Sequence, residues 1–244
     1  MSPLVLAAFG LYAVLLVHDL VRPARAYPAV RFWRLKGLLA FLSFAAASVA
    51  VPLLTDAWFA EHRLVDATGL GPWAGAALGF VVLQLGTWLW HRALHASDLL
   101  FRLVHQVHHS PERLDAWAAF WFSPLDVAGL SVVGGVCLVL GVGISGEAAL
   151  LVGVTNFVLN VFQHSNLRTP RWIGYLVVRP ESHAVHHERG VHAHNYCNLP
   201  LVDMLFGTFH NPPVFEGEVG FWDGASRRLP AMLVGLDVSR PPTR

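Results

Sequence analysis

Charge is scarce in this 244-residue chain: Asp, Glu, Lys and Arg make up 14% of it, against roughly 25% in an ordinary soluble domain. Cysteine is scarcer still. Cys137 and Cys197 can form one bridge at most, which excludes a disulfide scaffold. A net charge of +1 offers no basic face for a phosphate backbone, so nucleic acid is not expected as a partner. Disorder and low-complexity architecture are excluded by a hydrophobic content of 55%, which is ample for burial. Mean hydropathy is +0.49, the balance of a membrane protein. Yet there are 14 histidines beside 16 Asp and Glu residues. A bilayer accepts ionisable side chains where they are paired or line a functional cavity, so the histidine excess is the feature to explain.

Five tracts lack Asp, Glu, Lys and Arg: Met1 to His18, Gly37 to Thr55, Ala67 to His91, Val127 to Gly146 and Ala148 to Leu167. Each matches the roughly 17 to 25 residues a spanning helix needs. The expected fold is all-α, a polytopic membrane bundle of four to five transmembrane helices with a cytoplasmic histidine-rich di-metal cap. A shorter tract, Ala116 to Leu125, carries Trp117, Phe120, Trp121 and Phe122 and reads as an interfacial segment. Ala24-Arg25-Ala26 resembles a signal-peptide cleavage site, but the positive residues follow the first tract instead of preceding it. The first helix is therefore expected to stay uncleaved, with the amino terminus outside and Arg22 to Lys36 in the cytoplasm. The chain divides into residues 1–66 with the first helices and linkers, a catalytic segment 67–210, and a carboxy-terminal tail 211–244.

On that topology eleven histidines fall at the cytoplasmic face. His91 and His95 follow the third crossing; His105, His108 and His109 come next; His164 ends the fifth; His183, His186, His187, His192 and His194 lie beyond. Spacings of three and four predict that each cluster projects from one helix face. Converging neutral imidazoles are metal ligands, suited to iron, zinc, copper or nickel. Three clusters and His164 give nine rings, too many for one ion, so two metals are expected. His192 and His194 are left open between ligands and supporting donors, and His18, His62 and His210 read as ordinary residues. No Glu stands three residues before a cluster histidine, which separates the pattern from carboxylate-bridged bundle sites.

These motifs carry a resemblance. Trp90-His91-Arg92-Ala93-Leu94-His95, Val104-His105-Gln106-Val107-His108-His109-Ser110, Phe162-Gln163-His164-Ser165-Asn166, Pro180 to His187, Asn195-Tyr196 and Leu205-Phe206-Gly207-Thr208 together resemble the fatty acid hydroxylase and sterol desaturase superfamily of membrane di-iron enzymes. Two departures are Ser123 before Pro124, where many relatives have histidine, and Cys197 after Asn195-Tyr196, where they have glycine.

The resemblance implies an O2-dependent lipid hydroxylase or desaturase. Its ligands would be His91, His95, His105, His108, His109, His164, His183, His186 and His187, holding two iron ions for which zinc is the expected substitute, with no catalytic residue beyond them. The substrate would be a lipid entering from the bilayer, with Trp88, Trp90 and the 117–122 aromatics at the interface. The chain has no Gly-rich dinucleotide fingerprint and no cysteine set for an iron-sulfur cluster, so a separate electron-donor protein is implied. The alternatives in other classes are an inactive or structural zinc-binding membrane protein and a divalent-metal transporter, which would need ligands near the bilayer midplane.

Overall fold

A computed structural model describes residues 2–241. The described residues are helical, without a β-strand; one isolated bridge joins Glu188 and Val219. Five helices are long and apolar enough to cross a membrane. They are α1 (Pro3–Val21), α2 (Trp33–Glu61), α3 (Gly71–Ala96), α5 (Pro124–Gly135, extended by a π-turn over Val136–Gly141) and α6 (Gly146–His164). A helical arm, α4, runs from 98 to 109 with a π-turn at Phe101–His105. Three short helices complete the cap: α7 (Pro180–His186), α8 (Pro200–Leu205) and α9 (Leu229–Leu233).

The starts follow capping chemistry. Ser2, Ser123 and Ser145 each accept from a backbone N–H of the first turn, at 3.3, 3.1 and 3.2 Å, which satisfies donors the helix cannot. Proline stands in the first turn of α1, α3, α5, α7, α8 and α9, where its missing N–H costs nothing. Ser123 also donates to the carbonyl of Val104 at 2.6 Å. That bond ties α5 to α4.

Small residues let the spans approach, as membrane helices require. A Cβ at Gly79 of α3 would lie 2.7 Å from Ile144, and one at Gly129 of α5 would lie 2.7 Å from the indole of Trp90. The outward faces remain apolar, with Leu53 and Leu54 of α2 at 78% and 83% exposure, as a lipid-facing helix demands. The tract Trp117 to Phe122, expected at the interface, turns two of its aromatics into the bundle. Phe120 and Trp121 are 1% and 4% exposed, and Phe120 packs on Tyr12, Phe41, Phe44 and Phe157. The tract reads as interfacial because it is aromatic and short, but three helices close around it.

Polar anchors hold the cap to the bundle. Asp19, at the end of α1, accepts from the backbone N–H groups of Ala116 (2.7 Å) and Asn166 (3.1 Å). Arg179 is fully buried, pairs with Glu181 at 2.8 Å and donates to Asn211 at 2.7 Å. Beyond residue 210 the chain packs back on α4. Met232 and Val238 are buried with Val107 and Trp121, and Gln106 bonds both Leu236 and Val238.

Candidate metal centre

The structure brings all nine predicted rings together and sorts them into two groups. One holds His91, His95, His105, His109 and His186, the other His108, His164, His183 and His187, and the ligand atoms within each lie inside 4.8 Å of one another. The expectation that each motif projects from one face needs correcting. Pairs four residues apart stay together: His91 with His95, His105 with His109, His183 with His187. His108 and His186 cross to the opposite group. Adjacent residues on a helix point about 100° apart, so each His-His dipeptide serves both groups.

Ring orientation is set from outside. The Nδ1 atoms of His91, His105, His164 and His186 lie 2.8, 2.6, 2.7 and 2.7 Å from the Tyr196 carbonyl, the Asp126 carboxylate, the Asn160 carbonyl and the His194 carbonyl. A carbonyl only accepts, so the proton of His91, His164 and His186 sits on Nδ1 and leaves Nε2 as a bare lone pair, and an ionised Asp126 does the same for His105. These Nε2 atoms then face one another: His105 and His186 stand 2.8 and 3.0 Å from that of His91. In the second group, the Nε2 atoms of His183 and His164 are 3.0 Å apart, and those of His187 and His183 are 3.1 Å apart. Bare lone pairs at that spacing, as between His91, His105 and His186, repel unless a cation lies between them. Buried Nε2 atoms of His95 and His109 have no protein partner among the described residues. The donor chemistry therefore fits a metal ion in each group.

Asp126 was not anticipated, because 21 residues separate it from His105 and nothing local in sequence marks the pair. Neither were Tyr196 and Asn160, which, like His194, act through backbone carbonyls that any residue type supplies. His192 and His194 resolve differently. The Nδ1 of His192 lies 3.1 Å from that of His109, beside the first group; the His194 ring instead packs on His210. Their loop is strained, with φ of 42° at His192, 71° at His194 and 49° at Asn195, conformations side chains larger than glycine seldom take. Asn195 pins it by bonding Ser182 and both backbone groups of His210. Cys197 has no positive φ, so glycine is not required there, and its thiol leans toward Asp203 at 3.6 Å. Trp88 is likewise tied inward, donating to Asp203 and Thr208 and stacking on Phe206, which gives two residues of the Leu-Phe-Gly-Thr sequence a structural role.

Removing the carboxylate of Asp126 while keeping the fold is expected to weaken metal retention 10- to 100-fold, the usual cost of losing a group that orients a ligand. Asp126→Ala is the test variant. Asp126→Asn keeps an acceptor oxygen and is expected to recover most of the loss in a chelator competition. Equal retention in native and alanine chains would show that Asp126 does not orient His105.

Burial, then repulsion between neighbouring rings, holds His105, His108, His109, His183, His186 and His187 well below the ordinary 6.5. Burial takes His192 to about 4. These rings are neutral in the fold at pH 7, whereas the unfolded chain takes up their protons below about 6.5. The unfolded state then binds more protons, so stability is complete above that pH and is lost progressively as pH falls toward the depressed folded values. Thermal unfolding between pH 8 and pH 4 is expected to show this decline beginning near 6.5; an unchanged midpoint would contradict it.

The groups open onto a cavity of about 390 Å³ between α2, α3, α5 and α6, the size of a small-molecule site. His91, His105, His108, His164 and His183 line one end, and Leu83, Leu138 and Gly153 line its apolar reach. Phe122 lies flat on His108 at 4.2 Å where they meet. Residues 76–208 match the model of the fatty acid hydroxylase family, just over half the chain and every residue of both histidine groups. The chain belongs to the fatty acid hydroxylase family. It is 30% identical to an ornithine lipid hydroxylase of Rhizobium tropici over 69% of this chain and 50% of that protein. It is 27% identical to a Delta(7)-sterol-C5(6)-desaturase of Nicotiana tabacum over 62% of this chain and 55% of the relative. A methylsterol monooxygenase of Aspergillus fumigatus is 28% identical over 57% and 49%. The chain thus spans about half the length of the curated relatives it matches. No solved structure matches it. As a member of this fatty acid hydroxylase family with five apolar spans, it is an integral membrane protein.

Proposed function

We propose that the chain is a membrane oxygenase whose two histidine groups hold two iron ions and which hydroxylates or desaturates a C–H bond of a lipid. The observation that carries this reading is the meeting of bare imidazole lone pairs with an apolar cavity inside a membrane bundle. His91, His95, His105, His109 and His186 would hold one ion and His108, His164, His183 and His187 the other. When bound, iron supplies the access to O2 chemistry that an unactivated C–H bond needs and no side chain here provides. The chain's own groups do the rest. The carbonyls and Asp126 keep the protons on Nδ1, so Nε2 stays free to ligate. The cavity walls align an apolar chain against the histidine end and exclude water. The named functions of the relatives, acting on an ornithine lipid, a sterol and a methylsterol, support a lipid substrate.

The histidines lie at the ends of α3 and α6 rather than at midspan, which favours catalysis over metal transport. Electrons would come from a separate donor protein. Arginines following α1, α3 and α6 support a cytoplasmic centre and an amino terminus outside; labelling of a cysteine introduced at Ser239 from the outer side would contradict it. The function is tested by growing cells with the native chain or His186→Ala under heavy-isotope O2 and comparing extracted lipids by mass spectrometry. The expected result is a lipid that gains heavy oxygen, or loses two hydrogens, with the native chain only. Identical lipid profiles would contradict the proposal.

A further inference from the structure

The cavity wall carries a polar network at midspan. Gln84 is fully buried in the middle of α3, Asn156 lies in the middle of α6, and Asn198 comes from the loop before α8. The backbone N–H of Asn198 donates to Gln84 Oε1 at 2.8 Å. Because that donor is a main-chain group, it fixes the orientation of the whole set. The Gln84 oxygen is taken, so its Nε2 is the atom 3.1 Å from Asn156. The atom of Asn156 that receives it must be Oδ1, and Asn198 Nδ2 donates to the same oxygen at 2.7 Å. Asn156 Nδ2 is left over. Among the described residues nothing accepts from it, and Asn156 lines the cavity.

The amide nitrogens of Gln84 and Asn198 each donate within the network, whereas that of Asn156 donates to nothing among the described residues, and an amide nitrogen with no partner at all is costly within a bilayer. Polar residues at such depth mark function. We infer that Asn156 Nδ2 binds an oxygen of the substrate. This deepens the oxygenase reading by naming a substrate class, and it rests on that reading for the identity of the other end of the cavity. Asn156 lies eight residues before His164 on α6, and Gln84 seven before His91 on α3, so the donor stands about 10 to 12 Å along the helix axes from the histidines at 1.5 Å per residue. The substrate is therefore a lipid with an acceptor oxygen, a hydroxyl or carbonyl, about that far from the carbon that is oxidised. A lipid that places its polar head at the histidine end and a plain hydrocarbon tail at midspan leaves the amide unmet.

The test uses the full chain in nanodiscs and a pair of probes, a long-chain aliphatic ketone and the alkane of equal length, with binding read from tryptophan fluorescence, since Trp90 lines the cavity. The native chain is expected to prefer the ketone about tenfold, the worth of one hydrogen bond to a buried group. The bound ketone is expected to show a lowered carbonyl stretching frequency. Asn156→Leu is expected to remove both the preference and the frequency shift. Equal binding of the two probes by the native chain overturns the inference without need of any variant. A frequency shift that survives in Asn156→Leu overturns it too. Neither readout involves turnover. A native chain that shows the preference but alters no lipid under heavy-isotope O2 would refute the oxygenase reading while leaving the donor site standing.

Discussion

His186→Ala is expected to give a chain that folds and inserts, keeps one metal ion of two, and oxidises no lipid. His186 Nε2 meets His91 Nε2 at 3.0 Å, while its Nδ1 is spent on the His194 carbonyl, so its loss opens the first group and leaves the second intact. The neighbouring residue gives the mirror image. His187 Nε2 lies 3.1 Å from His183 Nε2, and His187→Ala is expected to empty the second group alone. Each variant should carry half the native metal content by elemental analysis, with turnover below detection because the proposed chemistry needs both ions. Two adjacent residues with separable effects on two metals would be hard to obtain from a structural role. Unchanged metal content in both variants would refute the assignment of ligands.

The second large effect concerns the cavity. Gly153 lines it on α6, and a Cβ added there meets nothing within 4 Å, so Gly153→Phe starts a large side chain from an uncrowded position on the cavity wall. Both metals should remain. Lipid turnover should fall about a hundredfold, the cost of displacing a reacting chain from its aligned position. Native turnover in this variant would show that substrate reaches the centre by another path. Gly134 on α5 has equal room and lines the same cavity, and the corresponding variant supplies an independent check.

Much of this was legible in the sequence because a bilayer imposes one requirement at a time. Gaps in charge located all five spans, yet not their ends. The second tract, Gly37 to Thr55, lies within a helix that runs from Trp33 to Glu61, since flanking charges can sit on a helix as it leaves the hydrocarbon. The fourth tract was drawn to Gly146, whereas the helix closes at Gly141 and turns through Gly143 at φ 54°. Glycine, not charge, ends it. The eight clustered histidines were readable from spacing, and His164 only from its place at the end of the fifth tract and from the family resemblance. Their partition was not, because it depends on where three separate elements converge. The network of Gln84, Asn156 and Asn198 was invisible for the same reason: 72 residues separate the first two, each of which looks like an isolated amide in an apolar run.

The most direct measurement of the central claim is an anomalous-scattering map at the iron edge from crystals of the iron-loaded full chain. Two peaks are predicted, one among His91, His95, His105, His109 and His186, the other among His108, His164, His183 and His187, each with nitrogen ligands only from the protein. A single peak shared by both groups, or an ion ligated by the Asp126 carboxylate, would contradict the account.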